Sequence, residues 1–420
     1  MKTTISKTNI YKNITNIIRK TPLELNERLS KKYKSNIYIK REDLQLCRSF
    51  KIRGALHKIT KLTDQEKTTG IVCASAGNHA QGVALSSKKF NIKSDIFIPL
   101  STPQQKINRI ISQSNPDICS LHIIGNTFNE CLKESEEFTK KNNKTFIHPY
   151  NDLDVIEGQG SIAHEIFEDL DKEQKSLDYI IGCIGGGGLI SGTSLYINKY
   201  RSSSTKIIGV EPSTCPSMKK SIINGEILTV PPLNNFVDGA TVSKVGDITF
   251  PICKNNIHEV YDISLGKLCE TMIELYQEDG IISEPAGALS ISALDDISNN
   301  IDITNKNIVC ILSGGNNDIT RYPEILDRAL QYQGKKKYYI IEFIQRPGRL
   351  KTFVNDILTE GDDIVRFEYI KKTNKDYGNV LVGIELKHST NKYKIEDNLR
   401  NNNFTFIELN ESNELYGYMI

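Results

Sequence analysis

Between about residues 37 and 313 short, nearly all-apolar runs alternate with longer stretches of helical period. The runs 37–40, 70–75, 94–99, 179–184, 206–211 and 307–313 carry too few polar positions for strands with one wet face. They predict strands covered on both sides. Their alternation with helices predicts an α/β fold built on a mainly parallel sheet. In such folds ligands sit beyond the carboxyl ends of the strands. Three small-residue clusters fall there: Ser75-Ala-Gly-Asn78, Gly185–Gly188 and Ser313-Gly-Gly-Asn316.

After Asn317 the pattern changes. Residues 322–330 read as a helix and 331–337 as a solvated linker. Then 338–344 reads as a strand and 347–358 as a helix with Pro347 at its start. Strands at 364–370 and 380–386 are joined by a polar turn ending at Gly378, and a helix at 392–402 and a strand at 404–409 follow. The order βαββαβ is the ferredoxin-like unit. The expected organisation is a first domain over 1–320, a linker over 321–337 and a second domain over 338–420.

Charge narrows the function classes. Lys+Arg is 53 and Asp+Glu is 51, a net charge of +2, so no field exists to steer nucleic acid. The 9 cysteines are scattered with no Cys-x-x-Cys pair, which argues against a disulfide scaffold or zinc ribbon and for reduced thiols in the cytoplasm. Lys2, Lys7 and Lys12 lie in polar sequence without an apolar stretch, so no signal peptide is expected, and no run is long enough to cross a membrane.

Four sites can carry chemistry. In Ser49-Phe50-Lys51-Ile52-Arg53-Gly54-Ala55, Ser49 is a plausible helix N-cap. Lys51 lies beside the small residues Gly54 and Ala55, which would leave room for a flat ring. A lysine partly withdrawn from water has the lowered pKa that a Schiff-base amine needs, although most helix lysines are simply solvated. Ser75 to Gly82 follows a strand and opens a helix, so free N–H groups near Gly77, Asn78 and His79 could receive a carboxylate or phosphate. The alternative there is an ordinary capped turn, and His79 alone reads as structural. Four consecutive glycines (Gly185, Gly186, Gly187, Gly188) cost backbone entropy that close approach of a ligand would justify. Their setting of strand, glycine loop and helix suits a phosphate, whereas neither the dinucleotide nor the P-loop pattern is present. Ser313 would present a hydroxyl at a third strand end, or form a plain turn. Together these suit a phosphorylated aromatic aldehyde cofactor holding an amino acid.

On these motifs the chain resembles the type II fold of pyridoxal-phosphate enzymes (tryptophan synthase β-like), specifically the threonine dehydratases (threonine ammonia-lyases). The matching stretches also include Lys40-Arg-Glu-Asp-Leu-Gln45, Gly158-Gln-Gly160, Val210-Glu-Pro212, Asp238-Gly-Ala240 and Ser283-Glu-Pro-Ala-Gly-Ala288. The C-terminal unit resembles the single ACT-like regulatory domain of the biosynthetic form, with Phe343-Ile-Gln-Arg-Pro-Gly-Arg-Leu350 as its first strand–helix junction. The resemblance implies pyridoxal 5'-phosphate held as an imine on Lys51, with Phe50 packing beside the ring and Asn78 bonded to its hydroxyl. It places the phosphate on Gly185, Gly186, Gly187, Gly188 and the Leu189 amide, and Ser313 at the pyridine nitrogen. The substrate carboxylate falls to Ser75, Gly77, Asn78 and His79. It further implies elimination of water from L-threonine, giving 2-oxobutanoate and ammonia in isoleucine biosynthesis. Isoleucine as inhibitor, valine as a second effector and a homotetramer are also implied. Cys215, four residues beyond Glu211, makes the hard-cation site of some relatives doubtful.

Other readings share parts of this pattern. A serine dehydratase, a serine racemase or a threonine synthase would have the same core. A Ser49-x-Lys51 hydrolase dyad would leave the glycine run unexplained. A catalytically dead amino-acid sensor would have no need of Lys51 and Ser313.

Overall fold

The computed structural model describes residues 11–201, 204–370, 375–410 and 415–416. The reading of residues 1–10 as free of a targeting segment lies outside these, as do residues 371–374 of the expected C-terminal turn. The chain divides into two compact units, one ending at Ile319 and the other beginning at Thr320.

Among the described residues the first unit holds ten strands: β1 (Leu23–Leu25), β2 (Asn36–Arg41), β3 (Ile71–Ala74), β4 (Ser94–Ile98), β5 (Cys119–Ile123), β6 (Thr145–Phe146), β7 (Tyr179–Cys183), β8 (Lys206–Pro212), β9 (Glu259–Ile263) and β10 (Asn307–Leu312). They form two sheets. Six strands run in the order β1-β2-β10-β7-β8-β9, parallel except for the antiparallel edge pair β1 and β2. Four run in the order β5-β4-β3-β6, all parallel. Strands β3, β4 and β7 are buried at every residue, as their unbroken apolar runs require. One apolar core packs Ile71, Cys73 and Ile96 against Ala55, Ile59, Ala80 and Val83 of the helices Lys51–Thr60 and Asn78–Phe90. This core fixes two of the candidate motifs against one sheet.

Beneath the helix Lys51–Thr60 lies a buried ion cluster. Arg53 grips Glu42 through Nε and Nη2 at 2.7 and 2.8 Å, and Glu165 through Nη1 and Nη2 at 2.7 and 2.9 Å. Lys40 Nζ reaches Glu165 at 2.6 Å. Two cations face two carboxylates with almost no solvent contact, so each charge depends on the others.

The second unit is an antiparallel sheet in the order β12-β13-β11-β14, made of β11 (Lys336–Ile344), β12 (Asp363–Tyr369), β13 (Tyr377–Glu385) and β14 (Phe406–Leu409). With the helices Arg349–Asp356 and Asn391–Asn401 the chain order is βαββαβ. Tyr339, Ile341, Phe343, Phe353, Val382 and Leu399 share its core.

Several boundaries differ from the sequence reading. The segment read as linker is mostly folded: the helix Tyr322–Tyr332 runs through its first part, and β11 begins at Lys336. Lys336 and Lys337 pair with Glu385 and Ile384 in the ladder, and their ammonium groups meet Asp327 at 2.6 Å and Glu408 at 3.0 Å. The expected turn gives up Tyr377 and Gly378 to β13, where Gly378 pairs with Phe343. The helix after Pro347 starts late because Gly348 sits at φ +89° as its N-cap.

All nine cysteines are free. Among the described residues no helix is long and apolar enough to cross a membrane.

Candidate active site

The three small-residue clusters and Lys51 do come together in the first unit. Ser49 and Gly314 form an antiparallel bridge, Phe50 N–H donates to the Ser313 carbonyl at 3.1 Å, and Gly315 N–H donates to the Arg48 carbonyl at 2.9 Å. Ser49 therefore does not cap the helix with its side chain; Phe50 occupies the N-cap, and Ser49 Oγ is buried without a hydrogen-bond partner. The small neighbours of Lys51 also serve another purpose. A Cβ on Gly54 would meet Gln159 Nε2 at 2.2 Å and the Val155 carbonyl at 2.6 Å, so Gly54 lets the helix Leu153–Gln159 pack close.

Lys51 Nζ donates to the Pro149 carbonyl at 2.9 Å and stands 5.2 Å from the centre of the Phe50 ring. Burial disfavours its charged form and lowers its pKa to about 8, against the weaker opposing influence of Cys183 and Glu284. The Pro149 turn is itself held by a neutral histidine. His148 Nδ1 accepts from the backbone N–H of Tyr150 at 3.2 Å and of Asn151 at 2.8 Å, and burial lowers its pKa to about 4.

The glycine loop leads from β7 into the helix Gly188–Tyr200. Gly187 is at φ +94°, a conformation that favours glycine. A Cβ on Gly186 would lie 2.3 Å from the Tyr150 ring, and one on Gly188 would lie 2.9 Å from Tyr150 Cβ. The loop therefore packs against Tyr150 with bare main chain, and the first N–H groups of the helix, Leu189 among them, have no partner within it. That is a cradle for an anion at a helix N-terminus.

The loop after β3 is a second such terminus. Ser75 Oγ accepts from the Gly77 N–H at 3.3 Å, and the helix begins at Asn78. A Cβ on Gly77 would meet nothing within 4 Å, so the turn borders open space. His79 turns its ring inward: Nε2 meets the Ile147 carbonyl at 2.7 Å, and burial drives its pKa down to about 3. Its Nδ1 is buried without a hydrogen-bond partner, and its backbone N–H lies in the first turn of the helix.

Ser313 Oγ accepts from Cys183 Sγ at 3.3 Å and donates to the Ala286 carbonyl at 3.3 Å. Burial pushes the Cys183 thiol up to about 11, so both partners are neutral. Asn78 Nδ2 donates to both carboxylate oxygens of Glu284, at 2.8 and 2.9 Å. Burial raises the Glu284 carboxyl to about 7.

Glu284, Pro149 and Tyr150 were not among the residues the sequence singled out for the site. Glu284 lies in a stretch quoted only for its resemblance, and the other two sit in a turn without periodicity. Glu211 spends its oxygens on the N–H groups of Met218 and Lys219, both at 2.8 Å. Among the described residues no group of three or more His, Cys, Asp or Glu could hold a metal.

Residues 14–314 match the family model described as pyridoxal-phosphate dependent enzyme. The chain belongs to this family. Residues 327–419 match a second model, the C-terminal regulatory domain of threonine dehydratase. A pyridoxal-phosphate enzyme needs an amine for the aldehyde, an anion cradle for the phosphate and a neighbour for the ring nitrogen. Lys51, the bare glycine loop and Ser313 fit those three requirements. The chain is 48% identical over 413 residues to a protein of Staphylococcus epidermidis named L-threonine dehydratase biosynthetic IlvA, covering 98% of this chain and 96% of that one. A Staphylococcus aureus protein of the same name is 44% identical over 424 residues, covering 100% of both. Among solved structures, the processed form of threonine deaminase isoform 2 from Solanum lycopersicum matches with TM-score 0.70 and 35% identity, over 75% of this chain and 89% of that one. Serine racemase from Dictyostelium discoideum matches with TM-score 0.67 and 30% identity, over 74% and 96%.

Proposed function

We propose that this chain is a pyridoxal-phosphate-dependent carbon–nitrogen lyase that converts L-threonine to 2-oxobutanoate and ammonia. The observation that carries the reading is the desolvated Lys51 amine, joined through backbone hydrogen bonds to the Ser313 turn within a unit that also holds the bare glycine loop. Its closest rival, a racemase or lyase acting mainly on serine, does not account for the match of residues 327–419 to the threonine dehydratase regulatory domain.

Lys51 would hold the cofactor through its amine, the N–H groups of Gly185, Gly186, Gly187, Gly188 and Leu189 its phosphate, Asn78 its ring hydroxyl, and Ser313 its ring nitrogen. When bound, the cofactor supplies an electron-withdrawing ring that acidifies the α-proton of an attached amino acid. The N–H groups of the Ser75–His79 loop receive the substrate carboxylate and orient that proton toward Lys51. A lysine with a pKa of about 8 is still mostly protonated near physiological pH, but its neutral fraction is far larger than that of a solvated lysine, so Lys51 can take the α-proton as general base. Ser313 keeps the far end of the ring free of negative charge, because its own partners are Cys183 and a carbonyl. With Ser313 as its neighbour the bound ring would be a weaker electron sink than one beside a carboxylate, which would favour elimination over racemisation. The water lost in elimination is regained when the enamine product hydrolyses, so threonine balances 2-oxobutanoate plus ammonia.

The second unit supplies regulation in this reading, with isoleucine as inhibitor and valine as a second effector. A single copy of the ACT-like unit would pair with that of a neighbouring subunit in a tetramer, and the enzyme would act in the cytoplasm. The test is an assay of 2-oxobutanoate from L-threonine and from L-serine, with and without isoleucine. Threonine turnover inhibited by isoleucine supports the proposal. Absence of 2-oxobutanoate, or racemised serine as the main product, contradicts it.

A further inference from the structure

One half-buried amide at this site is gripped from both ends. Asn78 Nδ2 donates to both oxygens of Glu284, and Asn78 Oδ1 accepts from Asn316 Nδ2 at 2.8 Å. Asn316 Oδ1 in turn accepts from Arg109 Nη1 at 2.8 Å, and Asn316 Nδ2 also reaches the Cys47 carbonyl at 2.8 Å. The four side chains come from separate places: the helix Gln104–Gln113, the turn after β10, the start of the helix Asn78–Phe90 and the N-cap of the helix Pro285–Ser292.

The direction of this chain is fixed by chemistry. Arg109 can only donate, so it selects the oxygen of Asn316 and turns that residue's NH2 group toward Asn78. An ionised Glu284 can only accept, so it selects the NH2 end of Asn78. Reversing the Asn78 amide would set two donors against each other at one end and two acceptors at the other. A hydrogen-bonded chain with a guanidinium at one end and a carboxyl at the other also polarises the amides between them. Glu284 is only 7% exposed, so little solvent competes for its oxygens.

We propose that Glu284 is a positioning residue that acts through Asn78, fixing the orientation and polarity of the amide presented to the cofactor, with Arg109 and Asn316 completing the grip from the other end. The proposal rests on the reading of this pocket as the pyridoxal-phosphate site.

The test compares wild-type, Glu284→Gln and Asn316→Ala holoenzymes loaded with pyridoxal phosphate. Glutamine keeps the size and one acceptor, but it brings a second NH2 group against that of Asn78. The expected result is a shifted or redistributed visible absorbance of the bound cofactor, with kcat for threonine down roughly tenfold or more and KM changed less than about threefold. The melting temperature of the cofactor-free protein should stay near the wild-type value, because the fold keeps its packing. Asn316 is only half-buried, so Asn316→Ala gives the same readings should Glu284→Gln fail to fold. Wild-type spectra and kcat in the variants, beside an active wild-type enzyme, would overturn this proposal alone. A wild-type protein that forms no visible band would overturn the proposed function and this inference with it.

Discussion

Phe50 donates its backbone N–H to the carbonyl of Ser313 at 3.1 Å, so the residue before the candidate Schiff-base lysine is tied to the candidate partner of the ring nitrogen. Two segments more than 260 positions apart thereby move as one piece. Main-chain hydrogen bonds thus fix the backbones from which the amine and the hydroxyl project.

Gly314 sits at the centre of that junction. A Cβ there would approach Glu284 Oε1 to 2.4 Å and Ser49 Cβ to 3.1 Å. Gly314→Ala should cost about 1–3 kcal/mol of stability through overpacking. It should also lower threonine turnover more than it lowers stability at assay temperature, because both Glu284 and the Lys51 loop must shift. Denaturant unfolding and kcat, measured on the same preparation, check both parts.

Arg53 supports the Lys51 helix from below. Arg53→Met leaves Glu42 and Glu165 with Lys40 as their one remaining cation in the cluster, and should destabilise the first unit by about 3–5 kcal/mol. The loss should depend on pH. Burial alone would push the Glu165 carboxyl up, but the charges and hydrogen bonds of Arg53 and Lys40 outweigh it and hold it down at about 2. A depressed carboxylate stabilises the fold above its ordinary value of 4.5 and loses that contribution as pH falls toward 2. Without Arg53, acid unfolding should begin at higher pH, which circular dichroism across an acid titration will show.

The division between Ile319 and Thr320 gives a cleaner cut than the sequence suggests. A truncation near residue 335 would leave the helix Tyr322–Tyr332 without the unit to which it belongs. A chain ending at Ile319 should keep threonine turnover within a few-fold of the full chain and lose inhibition by isoleucine. Retained isoleucine inhibition would remove the second unit from the regulatory account.

Strands buried on both faces were legible because burial leaves an unbroken apolar run, as in Tyr179–Cys183. Edge and short strands were not. β5 is nowhere fully buried, β6 has only two residues, and β9 carries Glu259 and Asp262. At the site, Lys51, the glycine loop and Ser313 stood out because each follows or opens a recognisable element. The Pro149 carbonyl and Tyr150 did not, because a backbone acceptor and a packed ring in a turn leave no pattern in sequence. The ring of His79, which alone reads as structural, does turn inward to the Ile147 carbonyl.

Desolvation of Lys51 makes a pH prediction. The ammonium loses its proton near pH 8 in the folded protein, against 10.5 in open solution. The folded state therefore binds fewer protons between those values, and the stability of the cofactor-free protein should rise with pH across that window and level off above it. Capture of added pyridoxal phosphate should accelerate through a midpoint near 8. Stopped-flow absorbance between pH 6.5 and 10 measures it, and a midpoint near 10.5 would show a solvated amine.

The most direct test of the central claim is to reduce the holoenzyme with borohydride, digest it and locate the pyridoxyl group by mass spectrometry. The account predicts the group on the peptide containing Lys51, with none recovered from Lys51→Ala. A pyridoxyl group on a different lysine, or a reduced wild-type protein carrying none, would contradict it.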